Sequence, residues 1–123
     1  MIVGIGIDAV MVSRLEKWAA DPAILERFFD SREIKTVRDR GKGMVRSLAA
    51  RFAAKEAFCK ALGTGFTGIA LRDIMVLNPQ DQRPELQLER TALRAVQAAG
   101  AERVHVSLTH EGDLAIAQVV LEA

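Results

Sequence analysis

The 123-residue chain reads as one α+β domain over residues 1–123, and three features of the sequence predict this. Residues 44–62 carry apolar side chains nearly all round the helical wheel, which marks one long buried helix. Period-2 stretches at the start and through the second half supply a mainly antiparallel sheet. Between them, residues 13–40 break into capped fragments that make early short helices. Such a combination packs as a sheet around its long helix.

Met1 to Val12 is rich in β-branched residues and forms the first strand. Its alternation places Val3, Ile5 and Ile7 on one face and Gly4, Gly6 and Asp8 on the other. Two glycines on one face mark a close approach by another backbone. The alanine-rich helix at 44–62 is the natural partner, and its approach brings Asp8 toward the charged side of that helix. Ser13, with Glu16 three residues later, reads as a capping box for a helix from Ser13 to Ala20. Asp21-Pro22 starts a second helix through Phe29, with proline at its first position. Ser31 to Arg40 makes a third, and Gly41-Lys42-Gly43 turns the chain into the central helix.

That helix is built from strong helix formers without proline, and Gly63 suits a left-handed stop. Thr64 to Gly68 is a loop, and Arg72 to Leu77 is a strand ended by Asn78-Pro79. Leu86 and Leu88 mark a short strand after Pro84, and Thr91 to Ala99 is a helix closed by Gly100. In Arg103 to Thr109, Val104, Val106 and Leu108 turn inward while His105, Ser107 and Thr109 face the other way. Glu111-Gly112-Asp113 then turns into a last strand, Leu114 to Leu121.

Half of the residues are hydrophobic and 27% are charged, as in an ordinary globular protein. No apolar run is long enough to span a bilayer, so no membrane is expected. Gly4, Gly6 and Asp8 interrupt the first stretch and no basic region precedes it, unlike a signal peptide. The single cysteine, Cys59, excludes an internal disulfide and a cysteine-built zinc cage, which fits a cytoplasmic location. Net charge is +1 but unevenly spread: residues 13–51 hold ten Lys/Arg against six Asp/Glu, and residues 72–123 hold five against eight. The basic half fits an acidic partner, either a phosphorylated ligand or an acidic protein surface, or simply a solvated helical face. Nucleic acid is excluded as a partner by the near-neutral balance and by aromatics at 5%.

Two acids stand out. Asp8 ends an apolar strand, and Glu56 lies in an apolar helix. Carboxylates brought together repel, and Mg²⁺, which needs only one or two protein ligands, relieves the repulsion. Equally, each acid can pair with a base, as Glu56 can with Lys60 at i,i+4. The residues alone do not choose. Arg51, Lys55 and Lys60 are candidate phosphate contacts or ordinary salt-bridge partners. The loop from Gly63 to Gly68 can offer N–H groups to an anion, though it lacks the pattern of a phosphate loop. His105 and Ser107 share a strand face, close to His110. Without a strand–turn–helix elbow they make a poor hydrolase, and an imidazole there suits phosphate binding or proton transfer as well as a structural role.

Three stretches, GIGIDAV at 4–10, RFAAKEAFCKALGTG at 51–65 and HVSLTHEGD at 105–113, closely resemble the holo-acyl-carrier-protein synthases. These are the small bacterial type of 4′-phosphopantetheinyl transferase. The resemblance covers nearly the whole chain and implies that family's fold. It also implies transfer of the 4′-phosphopantetheine arm of coenzyme A to a serine of apo-acyl carrier protein, releasing adenosine 3′,5′-bisphosphate, for fatty-acid or polyketide synthesis. It implies that Asp8 and Glu56 hold Mg²⁺ and that Lys60 and Arg51 lie against phosphate. His105, with Ser107 or His110, would reach the nucleotide end of coenzyme A from a neighbouring subunit of a homotrimer. Arg14 would meet the acidic carrier protein, while the proton acceptor, Glu56 or a water, stays open. The chain departs from the family's pattern in Gln82-Arg83-Pro84, where Gly-Lys-Pro is common, and in Met11, where an acid is common. Val10 stands where larger relatives carry a third acid. The alternative reading is a non-catalytic nucleotide-binding or trimeric interaction domain that keeps the fold.

Overall fold

In a computed structural model, residues 1–78 and 83–123 are described; Pro79 and Gln82, singled out above, lie outside them. The chain opens with strand β1 (Ile2–Met11) and a 3-10 turn (Val12–Leu15). Helices α1 (Glu16–Ala19), α2 (Pro22–Phe28) and α3 (Ser31–Arg38) follow, then a second 3-10 turn (Gly41–Gly43) and helix α4 (Met44–Leu62). Strands β2 (Ile74–Leu77) and β3 (Glu85–Leu88), helix α5 (Arg90–Ala98) and strands β4 (Arg103–Glu111) and β5 (Leu114–Glu122) complete it. All strand pairs are antiparallel, as expected. Among the described residues they form two sheets, a three-stranded one in the order β1-β5-β4 and a β2-β3 pair.

The three-stranded sheet lays one face on α4. A Cβ on Gly6 would sit 1.9 Å from the Ala57 carbonyl oxygen, and one on Gly4 would sit 2.0 Å from that of Ala61. The close approach expected at these glycines is therefore made by α4. Opposite them, Ala115, Ala117, Val119 and Leu121 of β5 turn the same way and are buried. From Ser47 to Ala61 every residue of α4 is buried except Glu56, half-buried, and Lys60, exposed. Sheet, short helices and β2 enclose most of the helix and leave a window at Glu56 and Lys60. Cys59 is buried beside that window, and burial, with Glu56 adding to it, pushes its thiol pKa up to about 12.

The expected capping box at Ser13 does not form. The Ser13 hydroxyl donates instead to Asp113 Oδ2 (2.7 Å) in the β4–β5 turn, and a 3-10 turn replaces the first helical residues. A carboxylate one sheet edge away outcompetes the local Glu16. The capping box lies at Asp30 and Glu33, ahead of α3. Asp21 caps α2 as expected, accepting from Ala23 N and Ile24 N. Trp18 stacks on Phe28 at 5.2 Å and meets Phe52 edge-on at 4.9 Å, fixing α1 and α2 to α4.

The strand expected from Arg72 begins only at Ile74, because Leu71–Asp73 forms a 3-10 turn. That turn delivers Asp73, which is 2% exposed, to the start of α5. Its carboxylate accepts from Thr91 N at 3.1 Å and from the Thr91 hydroxyl, and Arg90 Nε donates to it at 2.9 Å. Asp73 thus caps α5 from a distance and holds Arg90 at φ 42°, a conformation that non-glycine residues rarely adopt.

Two outcomes follow from this packing. Gly6→Ala is expected to destabilise by about 3 kcal/mol, read as a lower urea midpoint, because the helix carbonyl cannot retreat. Burial raises the Asp73 pKa, but the Thr91 and Arg90 bonds outweigh it and hold the carboxyl below its usual 3.8. Its contribution is therefore present above about pH 4 and is lost as pH falls through the lowered value. Asp73→Asn should cost about 2 kcal/mol in urea melts at pH 7, with the gap to the wild type narrowing on acidification.

Candidate active site

The window on α4 holds three of the residues singled out from the sequence. Asp8, at the far end of the glycine face of β1, is 8% exposed. Its Oδ1 accepts from Lys60 Nζ at 2.7 Å. Its Oδ2 is buried without a hydrogen-bond partner among the described residues. Lys60 thus turns to the strand acid and not to Glu56, its i,i+4 neighbour. The Asp8 bond holds the Lys60 ammonium pKa above its usual value.

Glu56 shares the window. Burial first, then the neighbouring Asp8 carboxylate, push its carboxyl pKa up to about 7, with Lys60 and Arg14 pulling the other way. Two acids crowd each other here, and one ammonium does not fully offset them. That arrangement fits a divalent cation held by Asp8 and Glu56. Among the described residues no group of three or more His, Cys, Asp or Glu gathers, so water and substrate oxygens would complete the shell. An ion that accepts one or two carboxylates, as Mg²⁺ does, matches this donor set.

Arg51 lies one face round the same helix. It is 5% exposed, donates to the Ser47 hydroxyl, and leaves its Nε buried without an acceptor among the described residues. Burial holds its pKa below the usual value, Glu33 opposing and Arg40 adding to the effect. It lines a cleft of about 500 Å³ with Arg40, Arg46, Asn78, Pro84 and His110. Three guanidinium groups, an imidazole and an unspent N–H donor make this a place for an anion. Arg40 gave no signal in the sequence, since it lies beyond α3 and only the fold turns it toward Arg51.

Of the two roles open to Lys55, phosphate contact or salt-bridge partner, it takes the second. It is fully buried against Glu33 at 2.7 Å and cannot touch a phosphate in the window. Gly63 ends α4 at φ 77°, as expected, and its N–H donates to the Lys60 carbonyl oxygen. His105 and Ser107 occupy the sheet face turned away from α4, in register with Ile5 and Ile7 through Val120 and Gln118. A single chain therefore does not bring them to Asp8 and Glu56. His105 Nε2 lies 3.0 Å from Glu122 Oε1, an arrangement that does not prime Ser107 as a nucleophile. Arg14 is exposed on the turn that Ser13 and Asp113 clamp. Beside it, Trp18, Arg27, Phe28, Phe52, Phe66 and Arg72 line an aromatic groove of about 590 Å³ that the sequence did not reveal.

Comparison with known proteins bears on these features together. The family model of the 4′-phosphopantetheinyl transferase superfamily matches residues 4–119. The holo-[acyl-carrier-protein] synthase of Treponema denticola is 54% identical over 122 residues, 99% of each chain. That of Trichlorobacter lovleyi is 48% identical over 126 residues, 100% of this chain and 99% of its own. The crystal structure of the Neisseria meningitidis holo-[acyl-carrier-protein] synthase is similar over 100% of both chains, with TM-score 0.90 and 35% identity. A Bacillus anthracis holo-(acyl-carrier-protein) synthase in complex with CoA (3′,5′-ADP) is similar over 100% of this chain and 98% of its own, with TM-score 0.82 and 36% identity. A glycine-faced strand, an enclosed helix and the acids between them thus agree with sequence likeness over the full length: the chain belongs to the 4′-phosphopantetheinyl transferase superfamily and, within it, to the holo-[acyl-carrier-protein] synthases.

Proposed function

We propose that this chain transfers the 4′-phosphopantetheine group of coenzyme A to a serine of apo-acyl carrier protein, with Mg²⁺ held by Asp8 and Glu56. The observation that carries this reading is the meeting of those two carboxylates at one window of α4, with Asp8 Oδ2 left without a partner among the described residues. Bound there, Mg²⁺ would supply positive charge against the diphosphate and the departing bisphosphate. Lys60 adds a second positive charge at the same mouth and stays protonated while Asp8 holds it. Arg51 and His110, with Arg40 and Arg46, bind the phosphates at the nucleotide end of coenzyme A, and Gly63, at the other end of α4, leaves the backbone beyond Lys60 bare of a side chain for the substrate. Coenzyme A held at both ends presents its β-phosphorus to the carrier serine. The serine oxygen bonds to that phosphorus as the bond to the bisphosphate oxygen breaks.

Arg14 and the aromatic groove form the carrier-facing surface, and the excess of basic residues before α4 favours an acidic partner. A homotrimer is the assembly that suits this chain. Ile5, Ile7, Met11 and Leu114 lie 57%, 59%, 51% and 40% exposed on the outer face of the sheet, a stripe that another subunit would cover. His105 and Ser107 stand on that face, where they would serve the nucleotide site of a neighbour. A product role in fatty-acid synthesis and a cytoplasmic location complete the reading.

Labelled coenzyme A, apo-carrier protein and Mg²⁺ test it directly, with label appearing on the carrier. Asp8→Ala or Glu56→Ala should lower the transfer rate by about 100-fold or more, and wild-type rates in both would remove the assigned metal site. A chain that binds the nucleotide but transfers nothing would instead be a non-catalytic binding domain. Arg14→Glu should raise the KM for carrier by about tenfold with coenzyme A affinity unchanged, and the effect should shrink as salt is added.

A further inference from the structure

Beside Glu56 in the sequence stands the most deeply buried charge of the molecule's helical layer. Lys55 has 0% exposure, and its Nζ donates to Glu33 Oε1 at 2.7 Å, to the Leu71 carbonyl at 3.0 Å and to the Ile74 carbonyl. The ammonium also lies 5.0 Å from the centre of the Phe29 ring. Glu33, 1% exposed, is equally engaged: its Oε1 accepts from Asp30 N and its Oε2 from Val76 N, both at 3.1 Å. One ion pair therefore joins α3, α4 and β2 through directional bonds, and nothing in the proposed transfer touches it.

An ion pair removed from water gives little net stability, since desolvation offsets the attraction. What it does give is direction. Three acceptors surround a single ammonium, so α4 cannot roll about its axis or slide along it without breaking bonds that no water can replace. Toward the sheet α4 is held by alanine and glycine surfaces, whose contacts specify closeness but few angles. Successive helical residues project 100° apart, so the direction fixed at Lys55 is also the direction fixed at Glu56. The same pair holds the Val76 N–H, on the strand that walls the arginine cleft.

We propose that the Lys55–Glu33 pair is a positioning device that sets the rotation of α4, and thereby the aim of Glu56 at Asp8. The inference rests on the metal reading given above. Its test is the double variant Lys55→Met/Glu33→Leu, which removes both charges together and fills the same space. Buried pairs replaced in this way commonly fold as well as before or better. Mn²⁺ binding to chelator-treated protein, followed by its paramagnetic resonance signal, should weaken by about tenfold or more, in the range seen when supporting groups around a metal are removed. The transfer kcat should fall in parallel, while the KM for carrier changes less than about twofold, since Arg14 is on another element. Glu33→Gln keeps the side-chain size and one acceptor oxygen, and should show a smaller loss of the same sign even if the double variant does not fold. A folded variant, double or Glu33→Gln, that binds Mn²⁺ and turns over like the wild type overturns the positioning role and leaves the proposed reaction standing. A wild-type protein that neither binds Mn²⁺ nor transfers the label overturns both.

Discussion

The backbone contact between β1 and α4 is the constraint on which the remaining architecture depends. Gly4 and Gly6 admit the carbonyls of Ala61 and Ala57 to distances that any side chain would forbid. Because the two elements lie so close, the next position on that strand face, Asp8, arrives at the helix as a carboxylate with almost no solvent around it. The other small residues, alanines on β5 and along α4, let the same closeness extend across the sheet. An acid in such a place needs partners, and Lys60 supplies only one bond. The electrostatic demand at Asp8 is therefore created by packing, with glycine as its first cause.

Charges within α4 divide into two kinds. Lys55 is spent internally, on Glu33 and backbone carbonyls, and holds the helix in place. Glu56, Lys60 and Arg51 are left partly unsatisfied: one carboxyl pushed up to about 7, one ammonium shared with a strand acid, one guanidinium with an idle Nε. Buried groups short of partners are costly in a fold that needs nothing from them. Their concentration along one helix, beside an arginine-lined cleft, is the observation behind the metal and diphosphate site proposed above.

Much of this was legible in the chain. Apolar residues all round 44–62 announced an enclosed helix, and glycine alternation in β1 announced what would touch it. The acids at 8 and 56 followed from their neighbours. Other features depended on contacts between distant segments and left no local trace. Ser13 found Asp113 across the sheet instead of its neighbour Glu16. Asp73, read as a strand residue, became the remote cap of α5. Lys55 and Lys60 lie on different sides of the same helix, and the wheel alone does not say which side is covered; α3 covers the first, so Lys55 is fully buried while Lys60 is exposed. Arg40 entered the cleft only through the turn that joins α3 to α4.

Cys59 carries a chemical consequence of being enclosed. Coenzyme A, the substrate proposed for this chain, ends in a thiol, and an accessible cysteine would be trapped as a mixed disulfide by exchange with coenzyme A already oxidised to its disulfide. The only sulfhydryl of this chain is 1% exposed and resists ionisation up to about pH 12. Exchange needs a thiolate and a path to it. Enclosure of the helix denies both, so the same packing that crowds two acids together keeps the sulfur silent toward such a disulfide.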